Sequence, residues 1–456
     1  MQQAISYRDR DGFVLLNNKF LRRYVAFSYA DRYDQLMHSG LYQKLVTEGL
    51  LIPHREISLD EDEKQKFYVI LEPEYIPFVS LPYEWTAEQW KEVAITLLTI
   101  NSICIKYGMI LKDATPFNLT FYKGRCVFFD TLSFDVYQEG KPWVAYRQFC
   151  EMILGPLALM FYKDPAWGKM MQSHINGWPL SFISSHLPLR TWFNPVLLVH
   201  IHWHASVKNK GKKPVSSEIF HSEKLLVLWD MICRSIKHWK IRSHSPVWSN
   251  YYAATILSDT YLSSKNEILS QWFATTTFSQ VIDIGSNDGF FSILAAGYAK
   301  RVLSIESDHD CVQNLRTEMC SRQLSNIETI LADIVMPTPA TGWENEERFS
   351  LLQRLDGDML LLLAVIHHLC IGANIPIAFV AKLAARLTTR YTIVEFVPRS
   401  DPKVLEMLVN REDIFADYSE ETFTACFGRY FTLLKVANCA TTDRKLYLWE
   451  KLQNGV

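Results

Sequence analysis

The chain has 456 residues, 48% of them hydrophobic and 21% charged, a globular composition too long for one ordinary domain, so two or three are expected. Its formal net charge is −2, so no overall basic field argues for a nucleic-acid partner. Nine cysteines without a CxxC pair point to reduced thiols in a cytoplasmic protein rather than to a disulfide frame or a zinc site. The opening MQQAISYRDRDGF has no apolar core behind its charges, so a signal peptide is not expected. The longest apolar stretches, such as Met152–Tyr162, fall short of the ~20 residues a membrane span needs.

Short strand-like pieces open the chain. Tyr29–Gly49 has helical periodicity, Phe67–Leu71 reads as an apolar strand, and Trp85–Tyr107 reads as a long amphipathic helix. Met109–Phe134 follows, MILKDATPFNLTFYKGRCVFFDTLSF. In it Asp113 and Asn118 share a loop, a short hairpin comes next, and Asp130 closes the second strand of that hairpin.

This constellation resembles the catalytic core of protein-kinase-like folds. The resemblance implies Asp113 as a base-like residue and Asn118 and Asp130 as Mg²⁺ ligands. The chain departs from that pattern in several places. Leu111 stands two before Asp113 where the pattern has His, and Thr131-Leu132 follows Asp130 in place of Phe-Gly. Gly12 stands alone with no glycine-rich nucleotide loop, and neither Lys19 nor Arg22-Arg23 sits in a VAIK-like strand. Read from the residues alone, a relic of such a fold or a turn-forming Asp/Asn pair stays open. The expectation for residues 1–205 is an α+β kinase-like domain that binds substrate or partner rather than one that transfers phosphoryl groups.

Residues 206–246 are expected to be a linker and a helix. Just before them, Val199–Ala205 reads VHIHWHA. On a strand His200, His202 and His204 would share one face and could bind a metal, and on a helix His200 and His204 would align. No acidic or cysteine ligand accompanies them, so packed or solvated histidines are expected and no metal. Lys208–Lys213 reads as a basic hinge, and Leu225–Trp239 as an amphipathic helix.

Residues 247–456 carry the most informative stretch, Val281–Gly289, VIDIGSNDG. It reads as a buried strand that ends in an acid and breaks into a glycine turn containing Ser286. The helix FFSILAAGYA follows, then a second apolar strand, Val302–Ile305, that ends at Glu306. Gly285 and Gly289 sit where a strand must reverse into a helix and let a ligand approach the backbone. A pyrophosphate loop keeps glycine at its middle position too, whereas here Asn287 stands there and Asp288 follows. A carboxylate repels pyrophosphate and suits a cationic methionine moiety, so S-adenosylmethionine (SAM) is favoured over a dinucleotide. Glu306, 17 residues past Gly289, is placed to accept two hydrogen bonds from ribose hydroxyls. A third apolar piece, Glu328–Ala332, ends at Asp333, whose carboxylate is placed to receive an adenine amino group. The plainer alternative is one more Rossmann-like strand-turn-helix with Glu306 solvated.

At Asp283, Gly285, Gly289, Glu306 and Asp333 the chain resembles class I SAM-dependent methyltransferases, over about residues 250–456. The resemblance implies a Rossmann-like α/β domain of seven strands, with the cofactor over the carboxyl ends of the strands. Asp358–Val365 and Tyr391–Val397 read as further central strands, with the helix Ile377–Leu387 between them. FTLLKVA and KLYLWEK read as the closing antiparallel pair. His244–Tyr252 is placed to form a lid over the cofactor, with Tyr251 and Tyr252 facing its methionine end or packed in the core. Pro337–Arg348, with HHL and EFVPRSDP, resembles a bacterial subgroup of class I methyltransferases with a large N-terminal extension, akin to nodulation-type host-specificity proteins. In that segment Trp343 either covers the adenine or packs on the domain.

Catalytic groups are expected after the fourth strand, in Ala364-Val365-Ile366-His367-His368-Leu369. Histidine is the natural base near neutral pH, so His367 or His368 would take a proton or position the acceptor. The alternative is a pair that caps the strand by hydrogen bonds. Glu395 is a second candidate, with a buried structural carboxylate the preferred reading. The expected acceptor is a small molecule, a sugar or other metabolite. The Asn-Pro-Pro-Tyr type of sequence tied to amide-nitrogen methylation is missing. Two rival readings remain open: a non-catalytic binding or regulatory protein, and a bifunctional kinase-methyltransferase.

Overall fold

The computed structural model describes residues 3–4, 9–17, 20–206, 221–241, 259–409, 412 and 414–453. Lys19, Lys208–Lys213 and the His244–Tyr252 segment, with Tyr251 and Tyr252, lie outside the described residues. The chain divides into two units: Met1–Ser243 with Ala340–Phe349, and His244–Pro339 with Ser350–Val456.

In the first unit, strands β1 (Gln3–Ala4), β2 (Gly12–Asn17), β3 (Phe20–Val25), β4 (His54–Ile57) and β5 (Val69–Pro73) form an antiparallel sheet in the order β1-β2-β3-β5-β4. The periodic stretch after β3 is two helices, α1 (Ala30–His38) and α2 (Leu41–Thr47), because Gly40 takes a left-handed φ of 86° between them. A capping box starts the long helix α3 (Ala87–Lys106). The Gln89 N–H donates to Thr86 Oγ1 at 3.3 Å and the Thr86 N–H to Gln89 Oε1 at 2.9 Å. Strand β6 (Met109–Leu111) follows and pairs with β9 (Phe134–Val136). Between them β7 (Leu119–Tyr122) and β8 (Arg125–Phe128) form a hairpin. Its two-residue turn needs positive φ at both positions, supplied by Lys123 (50°) and Gly124 (77°).

The helix α4 (Ser222–Lys237), placed by its sequence in a connecting segment, belongs to the first unit. Its apolar face needs a partner, and Leu225, Trp229, Ile232 and Ile236 are buried in the same core as Trp90, Val93 and Leu97 of α3.

The second unit is built on a seven-stranded sheet in the order β12-β11-β10-β13-β14-β16-β15. The strands are β10 (Gln280–Ile284), β11 (Arg301–Glu306), β12 (Ile327–Leu331), β13 (Gly357–Leu362), β14 (Thr388–Phe396), β15 (Phe431–Asn438) and β16 (Lys445–Lys451). The first five run parallel, and β16 pairs antiparallel with both β14 and β15. Such a sheet is covered on both faces, and this explains the continuous apolar runs in β10 and β13. Helices α5 (Asp259–Thr275), α6 (Phe290–Ala296), α7 (His309–Ser321) and α8 (Ile377–Leu387) belong to this unit. Tyr261, Leu269, Trp272 and Phe273 of α5 share one core with Val281, Val302, Met359 and Ile393 of the sheet. Strand β10 lies between β11 and β13, so the chain changes direction across the sheet at the carboxyl end of β10. In open α/β sheets this is where ligands bind. Among the described residues no helix is long and apolar enough to cross a membrane.

Candidate functional site

Three of the five residues after β10 take left-handed backbone: Gly285 (φ 69°), Asn287 (52°) and Gly289 (77°). The N–H groups of Gly285 and Ser286 both donate to Ile305 O, at 2.9 and 3.2 Å, which folds the turn back over β11. A Cβ on Gly285 would lie 2.5 Å from Val365 Cγ2, and one on Gly289 would lie 2.3 Å from Leu315 Cδ1. Both glycines are therefore required by backbone and by space. Asparagine tolerates left-handed φ better than most residues, which suits position 287.

Carboxylates surround this turn. Glu306, half-buried at the tip of β11, accepts the Asn287 N–H on Oε2 at 2.9 Å. Its Oε1 accepts the Ser307 and Asp308 N–H groups at 2.6 and 2.9 Å. Oε2 keeps room for a further donor. Asp333 is half-buried after β12, with Oδ1 taking the Val335 N–H at 2.8 Å. Asp288 Oδ1 accepts from Asn314 Nδ2 at 3.0 Å. Asp283 and Ser286 are different in kind, being 2% and 7% exposed. Ser292 Oγ donates to Asp283 Oδ2 at 2.6 Å, and Ser304 Oγ to Ser286 Oγ at 2.7 Å. Both brace the turn from beneath. Burial pushes the Asp283 carboxyl up to about 6, against the opposing effects of the Ser292 bond and the Lys265 charge.

Ala364 has a φ of 56°, an unusual conformation for a residue with a Cβ. The fourth strand, β13, ends before it at Leu362, short of the expected Val365. Ala364 is followed by Val365, which packs under Gly285, and by His367. His367 is 0% exposed, and among the described residues neither ring nitrogen has a hydrogen-bond partner. Its ring centroid is 4.1 Å from that of His368. Burial holds the His367 imidazole well below its ordinary range, with the His368, Arg444 and Lys403 charges adding to the effect. His368 is lowered to about 4, again chiefly by burial.

Glu395 near the end of β14 is 0% exposed and fully partnered. It accepts from Tyr261 Oη and from Lys265 Nζ, the latter at 2.6 Å, and Arg444 Nη1 is 3.9 Å away. Arg444 grips Asp401 through Nε at 2.7 Å and Nη2 at 3.1 Å. The Glu395 carboxylate thus takes the buried structural role. No local sequence signal marks Tyr261, Lys265, Asp401 or Arg444, which meet only through the fold.

Residues 340–349 belong to the first unit. The chain reverses through Gly342 (φ 93°), Glu344 (53°) and Asn345 (58°), and Thr341 bridges Arg348 in antiparallel fashion. Trp343 is 62% exposed. Arg348 stacks over Phe117 at 4.0 Å.

Asp113, Asn118 and Asp130 of the first unit do converge. Asn118 Nδ2 donates to Asp113 Oδ2 at 3.1 Å, to Asp130 Oδ2 at 3.5 Å and to Ser133 Oγ at 3.0 Å. Gln148 Nε2 donates to Asp113 Oδ1 at 2.5 Å. Burial raises the Asp113 carboxyl, opposed by the Gln148 bond. Arg23 of β3, set aside in the sequence, forms an ion pair with Asp130. Lys112 pairs with Asp11, which also holds Arg32 at 3.0 Å.

His200, His202 and His204 lie on a helical turn, not a strand. His200 and His204 face the Tyr146 hydroxyl. His202 bonds Ser184 Oγ at 2.8 Å and Thr191 Oγ1 at 2.9 Å, and stacks on Trp192. Among the described residues no group of three or more His, Cys, Asp or Glu side chains is disposed to hold a metal ion.

No family model matches the chain. It is similar to nodulation protein NoeA of Rhizobium meliloti (strain 1021), 27% identical over 465 residues that cover 98% of this chain and 96% of that protein. Among solved structures it is similar to the N-methyltransferase NodS from Bradyrhizobium japonicum WM9, at 13% identity and a TM-score of 0.32, over 43% of this chain and 99% of that one. It is similar also to magnesium protoporphyrin IX methyltransferase (ChlM) from Synechocystis PCC 6803 with bound SAM, at 12% identity and a TM-score of 0.31, over 44% of this chain and 89% of that one. A third is the bifunctional kinase-methyltransferase WbdD, at 19% identity and a TM-score of 0.28, over 41% of this chain and 38% of that one.

Proposed function

We propose that the second unit binds SAM and transfers its methyl group to a small-molecule acceptor, a sugar or other metabolite. The observation that carries this reading is the turn of Gly285, Asn287 and Gly289, held to Glu306 at the switch point of the parallel sheet. The residues fit the cofactor. The turn lets a ligand approach the backbone, and Glu306 Oε2 keeps capacity for a ribose hydroxyl. Asp288 and Asp333 add negative charge that favours a sulfonium and disfavours a pyrophosphate. Asp283 and Ser286 hold the turn in shape from below. When bound, SAM supplies an electrophilic methyl group whose transfer needs an in-line nucleophile.

The chain's own contribution is then position and hydrogen bonding. His367 and His368 follow the end of β13, and burial keeps both imidazoles neutral. A neutral imidazole accepts a hydrogen bond from an acceptor hydroxyl or amine, so either can orient that group or receive its proton. Both His367 nitrogens lack a partner among the described residues, which favours His367 for this role.

For the first unit we propose a kinase-like fold that serves in acceptor selection. Its antiparallel sheet, the long helix α3 and the meeting of Asp113, Asn118 and Asp130 support that reading.

Calorimetric titration of the purified chain with SAM and S-adenosylhomocysteine tests the proposal, followed by methyl transfer to metabolite extracts. Binding and turnover are expected. Binding without turnover would favour a ligand sensor, and no binding of either compound would overturn the proposal.

A further inference from the structure

The kinase-like resemblance implies a divalent cation held by Asn118 and Asp130. The side chains of the first unit do not fit that role. Hard cations take oxygen ligands with free lone pairs. Asp130 Oδ1 is engaged by the Arg23 guanidinium and accepts the Leu132 N–H at 3.4 Å. Its Oδ2 takes the Ser133 hydroxyl and the Asn118 amide. Asn118 turns its NH₂ group into the cluster, not its carbonyl oxygen. Reversing that amide would set its oxygen against the carboxylates of Asp113 and Asp130, so the network itself selects the donor orientation.

Arg23 is held where it acts. It stands on β3, paired with Val14 on one side and Leu71 on the other. The Arg23 and Asp130 side chains are only 11% and 16% exposed. A guanidinium stays charged at any relevant pH, and at a partly buried site its attraction for a carboxylate is little screened.

We infer that Arg23 is a built-in counter-cation that takes the place of a divalent metal at Asp130, so that the Asp113–Asn118–Asp130 cluster binds none. The inference uses the kinase-like reading only for the expectation it overturns, and it does not depend on the SAM reading of the second unit. Its consequence is a first unit that engages its ligands without a metal.

Mn²⁺ is the probe, with free ion counted by electron paramagnetic resonance. The full chain is compared with Asp130→Asn, Arg23→Met and the Arg23→Met/Asp130→Asn double variant, each checked for folding by circular dichroism. Wild type and Asp130→Asn should give the same Mn²⁺ isotherm. Arg23→Met should gain one site, at least tenfold tighter than any wild-type binding, and the double variant should lose it. If Arg23→Met does not fold, Arg23→Leu, which also removes both the donor and the charge at Asp130, should gain the same site. A wild-type Mn²⁺ site that Asp130→Asn abolishes would overturn the inference. So would folded Arg23 variants that gain no site.

Discussion

Asn287 donates its backbone N–H to Glu306 Oε2 at 2.9 Å, which fastens the turn after β10 to the end of β11. The bond sets the two strand ends at a fixed spacing before any ligand arrives. It also makes Glu306 both a brace for the turn and a candidate ligand to a ribose. Loss of the carboxylate therefore removes two things at once. Glu306→Ala should weaken S-adenosylhomocysteine binding by about tenfold or more, since a hydrogen bond to a charged group contributes roughly 1.5–3 kcal/mol. Glu306→Gln, which retains an acceptor, should lose less. Equal affinity in the alanine variant and wild type would remove Glu306 from the site.

Gly285→Ala tests the turn itself. The added Cβ meets Val365 Cγ2 at 2.5 Å in a backbone with φ of 69°, so the turn must open or shift. Titration of the folded variant should show cofactor binding reduced at least tenfold, about 1.4 kcal/mol or more. Unchanged affinity would place the pocket elsewhere.

Asp283 has a pH signature. Its folded carboxyl is raised from an ordinary 3.8 to about 6 by burial. A raised acid contributes stability that is fully present below pH ~4 and is lost as pH rises through ~6. Asp283→Asn removes the buried charge and keeps an acceptor for Ser292. It should therefore stabilise the chain at pH 8 by up to about 3 kcal/mol, from 1.36 kcal/mol per pKa unit, and by little at pH 4. Denaturant melts at the two pH values give the comparison, and an equal gain at both would contradict the assignment.

The Lys265–Glu395 pair is almost completely buried, with side chains 2% and 0% exposed. Removing one partner leaves an uncompensated charge, so Lys265→Met should cost about 3–5 kcal/mol. Lys265→Met combined with Glu395→Gln should recover a substantial part of that loss. A double variant as unstable as the sum of the singles would show that the two side chains are not coupled.

His367 and His368 differ in a way kinetics can read. His367→Phe fills the buried space and removes both nitrogens, and it should lower kcat for the accepted substrate by about 100-fold. His368 is lowered to about 4, so neither imidazole should contribute a limb to the kcat profile between pH 6 and 8. A limb near pH 6.5 that flattens in either histidine variant would show that this ring titrates in its ordinary range and is not held neutral by burial.

The turn at 283–289 was legible in the sequence because its demands are local. A strand that must reverse into a helix needs left-handed residues, and Gly285, Asn287 and Gly289 are those residues. Strand ends were legible for a similar reason, since Glu306 and Asp333 each interrupt an apolar run. The meeting of Asp113, Asn118 and Asp130 was also signalled, by their spacing around a short hairpin. Where the signal failed, the cause was partnership rather than periodicity. The amphipathic stretch Leu225–Trp239 was recognised as a helix, but nothing in its own residues says that its apolar face completes the core around α3.

The residues at the ends of the parallel strands and the positions that must be glycine can be read from the chain alone, because backbone sterics and apolar runs act over a few residues. What neutralises the buried charges is set by the fold. Arg23 and Asp130 lie 107 residues apart, and Tyr261 and Lys265 lie 134 and 130 residues from Glu395. A buried carboxylate must find a counter-charge or a donor wherever the fold brings one, and that choice is made in space, across strands and helices whose sequences carry no record of each other.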